Sequence, residues 1–96
     1  MSKTTQTAKM VDLVAKVHGD NHLHLAEVKS LFHEVNSHYP QLKETTAPER
    51  AELKGKLAQI RELSNDFQTP ADGCEGYQMM DAGLMEFEKD VLAQLG

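Results

Sequence analysis

The chain has no tryptophan, three phenylalanines and two tyrosines among its 96 residues. Its Val, Ile and Thr residues never fall into alternating runs, so there is little from which to build a sheet. It lacks a second cysteine. Cys74 stands alone, which excludes an internal disulfide and fits a reducing, cytoplasmic compartment. It also lacks a long apolar run: stretches such as Met79-Met80 and Val91-Leu92-Ala93 are the longest, against about 20 residues for a membrane span. The opening Met1-Ser2-Lys3-Thr4-Thr5-Gln6-Thr7 is polar and has no secretory-signal core. Nor is there an excess of basic residues. Ten Lys and Arg face fifteen Asp and Glu, a net charge of −5, which leaves no surplus to displace counterions from phosphates. Neither a membrane nor a nucleic acid is expected as a partner. What remains, 40% hydrophobic and 26% charged residues, is the balance of one small globular domain over residues 1–96, with about 1–8 expected to be disordered.

Four segments carry a period near 3.6. The first runs from about Thr4 to Val17, with Met10, Leu13, Val14 and Val17 on one side, and stops at His18-Gly19, where a left-handed cap is expected. Asp20 or Asn21 can then cap a second helix, along which Leu25, Val28, Leu31, Phe32, Val35 and Tyr39 recur until Pro40 ends or kinks it. Thr46-Ala47-Pro48-Glu49 has the form of a capping box. It opens a third helix that turns Leu53, Leu57, Ile60, Leu63 and Phe67 inward. A fourth start falls at Thr69-Pro70, followed by a seam of Cys74, Tyr77, Met80, Leu84, Phe87, Val91 and Leu95; the helix is expected to reach about 35–40 Å. Its glycines, Gly73, Gly76 and Gly83, suit either a close approach by another element or a frayed first turn. Short connections favour antiparallel neighbours, and hence an all-α, antiparallel up-down four-helix bundle.

All five histidines lie between His18 and His38, a density that raises the question of a metal site. His18 and His22 are spaced for one helical face, but Gly19 and Asp20 intervene. His18 is equally explained by the free carbonyls at a helix end. His22 and His33 fall about 120° from the middle of the apolar arc, where water is expected. His24 and His38 flank that arc beside Glu27 and Glu34, a strip suited to a metal or to a partner surface. Cys74 lies on the inward seam and is expected to act as a small buried hydrophobe. A reactive thiol at a helix start is the sharper alternative, but no residue in the sequence declares itself as its base. Met79, Met80 and Met85 are expected to fill the core.

Two stretches are similar to a known family. Ile60-Arg61-Glu62-Leu63-Ser64-Asn65-Asp66-Phe67, followed by Pro70, Cys74, Tyr77, Gly83-Leu84 and Glu86-Phe87-Glu88-Lys89-Asp90, resembles the C-terminal half of the hemerythrin-like di-iron proteins that repair damaged iron–sulfur clusters. Val14-Ala15-Lys16-Val17-His18-Gly19-Asp20-Asn21-His22 resembles the end of their first helix and the turn after it. The resemblance implies a hemerythrin-like bundle whose family role lies in the response to nitric oxide and oxidative stress. It also implies histidine and carboxylate ligands on all four helices.

Few of those ligands have counterparts. His18 matches one, while the other helix-one histidine would fall before Met1. The helix-two His and Glu fall on Leu42 and Thr46, or on His38 if the alignment shifts. The helix-three Glu-His pair falls on Glu49-Arg50, and Val91–Gly96 carries no histidine where the family has a His-rich ending. A di-iron centre needs about five to seven donors around a shared cavity. The resemblance therefore implies a non-enzymatic bundle without a cofactor that binds a helical partner or itself. The alternative is a reduced metal site in which His18, His22 and His38 hold one iron or zinc ion.

Overall fold

A computed structural model describes residues 3–95, with side chains from Thr5 onward. Among the described residues there are four α-helices and no strand. They are α1 (Lys3–His18), α2 (His24–Ser37), α3 (Ala47–Leu63) and α4 (Glu75–Leu95); a 3₁₀ helix, Tyr39–Glu44, links α2 to α3. α1 begins at Lys3, inside the span 1–8 that the sequence left for disorder; residues 1 and 2 lie outside the described residues. α1 packs against both α4 and α2, α2 packs against α3, and α3 meets α4 along a short length.

One apolar core runs through all four helices. Phe32 and Phe87 stand 4.7 Å apart between ring centroids at its middle. Around them lie Val11 and Val14 of α1, Val28 and Val35 of α2, Leu53, Leu57 and Ile60 of α3, and Met80, Leu84 and Val91 of α4. The 3₁₀ segment adds Leu42, which is 1% exposed. Each fully buried aliphatic or aromatic side chain contributes about 1.5–3 kcal/mol relative to an exposed one, so this core supplies the main force holding the helices together.

The helix ends follow local chemistry. Thr46 accepts from the backbone N–H of Glu49, and the Glu49 carboxylate accepts from the backbone N–H of Thr46, closing the expected capping box. Those hydrogen bonds hold the Glu49 carboxyl below its usual range. α2 differs from expectation. Neither Asp20 nor Asn21 caps it; it starts at His24 after Leu23, which makes no side-chain cap. The reason is that the turn continues helical bonding, with the amides of Asn21 and His22 both donating to the His18 carbonyl. Gly19 is not in the left-handed region; a side chain there would instead collide with the Ala15 carbonyl.

Register also shifts on α1 and α4. Val11 and Val14 face the core while Leu13 and Val17 are exposed, so only part of the expected apolar side is buried. Met80 is buried, whereas Met79 and Met85 are exposed rather than core-filling. α4 begins at Glu75 and not at Thr69-Pro70, giving about 31 Å at 1.5 Å per residue. Of its glycines, Gly83 has the clearest packing role: a Cβ there would lie 2.5 Å from Thr7 Oγ1, so α1 seats its Thr7 side chain directly on α4.

α3 stops at Leu63, and Phe67 lies beyond it in a turn rather than on the helix. Asn65, Asp66 and Phe67 have φ of 53°, 63° and 63°, a left-handed run that costs about 1–2 kcal/mol per residue for L-amino acids, least for Asn and Asp. Local bonds hold it. The Asp66 amide donates to the Arg61 carbonyl at 2.9 Å and the Phe67 amide to Ser64 Oγ at 3.0 Å. The Arg61 guanidinium donates to Asp66 Oδ1 at 2.8 Å and lies 5.3 Å from the centre of the Phe67 ring. The same guanidinium donates two hydrogen bonds to Glu88 of α4, one of them from Nε at 3.1 Å, and these pairings push its pKa further upward.

Glu88 is 5% exposed whereas the Arg61 side chain is half exposed. Removing the cation therefore strands a buried charge, and removing the carboxylate does not. Arg61→Met is expected to lower the midpoint of thermal unfolding by roughly 8 °C or more, and Glu88→Gln by less than half of that. Calorimetry on the two variants checks the asymmetry.

Candidate functional site

The chemistry-bearing side chains gather at one end of the molecule, where α1 ends, α2 begins and α4 begins. His18 closes α1, and the five residues before α2 carry His22. The long connection after α3 brings Asp72 and Cys74 to the same place. Cys74 directly precedes α4, its carbonyl accepting from the amide of Gln78 at 3.1 Å. Its Sγ lies 3.1 Å from His18 Nε2, close enough for the thiol proton to pass to the imidazole.

Cys74 is exposed, which overturns the expectation of a buried hydrophobe. The cause is the later start of α4: the residue sits before the helix rather than on its inward seam. Its thiol pKa is lowered chiefly by the hydrogen bond with His18, and further by the backbone N–H groups of Tyr77 and Gly76. Those are free donors of the first helical turn, the setting in which a thiolate is stabilised.

The neighbours form a connected polar group. His22 Nε2 donates to the Asp72 carboxylate at 3.1 Å, so His22 is largely covered and not simply in water. The His18 and His22 rings stand 5.5 and 5.7 Å from the Tyr77 ring. Tyr77 Oη and His24 Nε2 share a hydrogen bond at 3.3 Å. Burial, together with the charges of Asp81 and Asp72, pushes Tyr77 up to about 12, so it remains a neutral hydroxyl. Burial, followed by the nearby His22, lowers His24. One turn further along α4, Asp81 is 2% exposed; its Oδ2 accepts from Thr69 at 2.8 Å and its Oδ1 has no partner. Burial raises its carboxyl pKa.

The histidines of the alternative metal set lie apart, at two places. His18 and His22 come together, with ring centroids 6.4 Å apart. His38 caps the far end of α2, which begins at His24 and has 14 residues, about 20 Å along the helix from its start. The strip of His24, Glu27, Glu34 and His38 does not act as a unit either: His24 faces Tyr77, and Glu34 pairs with Lys56 of α3 at 2.6 Å. His33 Nε2 donates to Asp12 of α1 at 2.7 Å. Among the described residues no three His, Cys, Asp or Glu side chains converge as a metal-binding group.

The positions that the resemblance assigns to iron ligands hold other chemistry. Leu42 is in the core, Thr46 and Glu49 form the capping box, and Arg50 donates to the Thr45 carbonyl at 2.7 Å. Arg50 is half-buried by this bond instead of turning fully outward.

Sequence reasoning missed the partnership of His18 with Cys74, 56 residues apart. The separate observations of a histidine at a helix end and a cysteine near a helix start were available, but nothing joined them. Compared with family models, curated proteins and solved structures, the chain finds no match. No helix is long and apolar enough to cross a membrane among the described residues.

Because His24 is held below its ordinary value near 6.5, the unfolded chain takes up more protons than the folded one as pH falls past that value. The stability His24 contributes is present above about pH 6.5 and is lost as pH falls through its folded pKa. Denaturant midpoints at about pH 7.5 and about pH 5.5 are expected to differ less in His24→Gln than in the unaltered chain.

Proposed function

We propose that this chain is a hemerythrin-like bundle without a di-iron centre that acts as a self-associating binding module through the outer face of α1 and α4. The observation that carries it is an uncovered apolar stripe on α1. Met10 lines a groove of about 490 Å³ together with Met79, Gly83 and Phe87 of α4. Leu13 and Val17 follow Met10 at helical steps of three and four and are 49% and 60% exposed. Apolar residues on one face of a helix, unburied within the chain, mark a surface that another helix covers.

Charge complementarity favours a second copy. The α1 side of the stripe carries exposed Lys9 and Lys16, and the α4 side carries exposed Glu86 and Asp90. A two-fold axis would set the basic half of one chain over the acidic half of the other, the self-complementary arrangement of an isologous dimer. Gly83 keeps the groove floor low, because it allows α1 and α4 to approach closely.

Support for a bundle without iron comes from what fills the interior. The only buried carboxylates among the described residues are Asp81 and Glu88; Thr69 donates to one and Arg61 to the other. An iron pair would need several ionised carboxylates and neutral imidazoles facing one cavity.

Sedimentation over a concentration series is expected to show reversible dimers at micromolar to hundred-micromolar chain, weakened at least tenfold by Leu13→Asp or Val17→Asp. A monomer throughout that range overturns the proposal. Metal analysis after growth in iron-rich medium is expected to find well under one ion per chain. A stoichiometric iron or zinc ion would restore the alternative built on His18, His22, His38 and nearby carboxylates.

A further inference from the structure

We propose that Cys74 and His18 form a thiol–disulfide exchange site for uncharged or cationic low-molecular-weight disulfides. It is independent of the self-association proposed above, since neither residue lies on the groove.

The site has the parts such a step needs, supplied by separate segments. The nucleophile is Cys74 Sγ, exposed at the start of α4. The base is His18 Nε2 at the end of α1, 3.1 Å away. The backbone N–H groups of Gly76 and Tyr77 face the sulfur and favour its anion. Packing fixes the imidazole, with Tyr77 against the His18 ring at 5.5 Å between centroids. A nucleophile in hydrogen-bond reach of a base, itself oriented by a third group, is the general arrangement of activated thiols.

The step balances without any other reactant. The Cys74 proton moves to His18 Nε2, and the thiolate attacks one sulfur of the disulfide. That S–S bond breaks as the Cys74–sulfur bond forms, and the departing thiolate takes the proton back from His18. The Cys74 thiol is oxidised to the disulfide level, while the departing half of the small molecule is reduced to a thiol.

Charge selects the substrate class. The groups gathered at the site are the His18 and His22 imidazoles from the α1 side, His24 of α2, Asp72 of the preceding loop and Tyr77 of α4, with the exposed Glu75 next to Cys74 in the chain. His24 is held towards its neutral form and Tyr77 stays neutral, while two exposed carboxylates, Glu75 and the Asp72 that accepts from His22, lie within two residues of Cys74 along a chain of net charge −5. An anionic disulfide approaches that rim against repulsion, and a neutral or cationic one does not.

The test is the second-order rate of mixed-disulfide formation on the full chain, read by mass, with neutral dithiodipyridine, cationic cystamine and anionic oxidised glutathione. At about pH 6.5 the native chain is expected to react three- to tenfold faster with dithiodipyridine than the same chain unfolded in urea, since rate gains about threefold for each tenfold gain in thiolate. His18→Gln should lose that advantage below about pH 8, and the two should converge where the thiol ionises unaided. Cys74→Ser should give no adduct. Cystamine should outpace oxidised glutathione, with the gap narrowing in salt. A native rate equal to or below the unfolded rate overturns the site, and so does a His18→Gln profile that matches the unaltered chain. Faster reaction with oxidised glutathione than with cystamine overturns the substrate class.

Discussion

Arg61 serves three groups at once, and the long connection between α3 and α4 takes its shape from that. Its guanidinium donates to the buried Glu88 carboxylate, to Asp66 in the left-handed turn, and lies over the Phe67 ring. α3 and α4 otherwise meet along a short length, so this ion pair sets how the two helices are joined. Without the cation, Glu88 is a desolvated charge and the turn at 65–67 loses the contacts that offset its backbone cost. Everything downstream depends on the turn: it directs the chain through Thr69 and Asp72 and delivers Cys74 to the end of α1.

Much of this was legible in the sequence. The helical class, the capping box at Thr46 and the core positions on α2 and α3 follow from period and local hydrogen-bonding chemistry, and the structure holds them. The errors have two causes. Along α1 the apolar residues cover a wider arc than one core needs, so Leu13 and Val17 could not be told from Val11 and Val14 by spacing alone. Along the end of α3, three left-handed residues move Phe67 off the helix and delay α4 to Glu75. No period reports a backbone reversal of that kind. Because Cys74 was assigned to the wrong side of that boundary, its exposure and its partner were both hidden.

The histidines show the same limit at the level of the site. Their density suggested metal, yet four of the five are engaged by a partner specific to their place. His22 holds Asp72, His33 holds Asp12, His24 meets Tyr77 and His18 meets Cys74. Two of these contacts tie α1 to α2 or to the α4 start, so imidazoles here serve as joints between helix ends and as a proton store for a thiol. Charged groups in the interior are few, and neutral or paired partners accompany them, as low-dielectric surroundings demand.

The single cysteine has a consequence of its own. A chain with two nearby thiols can expel a captured sulfur by closing a ring; this one has none to close. Any sulfur joined to Cys74 must come from another molecule and must be removed by another molecule. The lifetime of such a bond is then governed by the thiols outside the fold and not by anything within it, so the protein would carry a record of its surroundings that it cannot erase unaided.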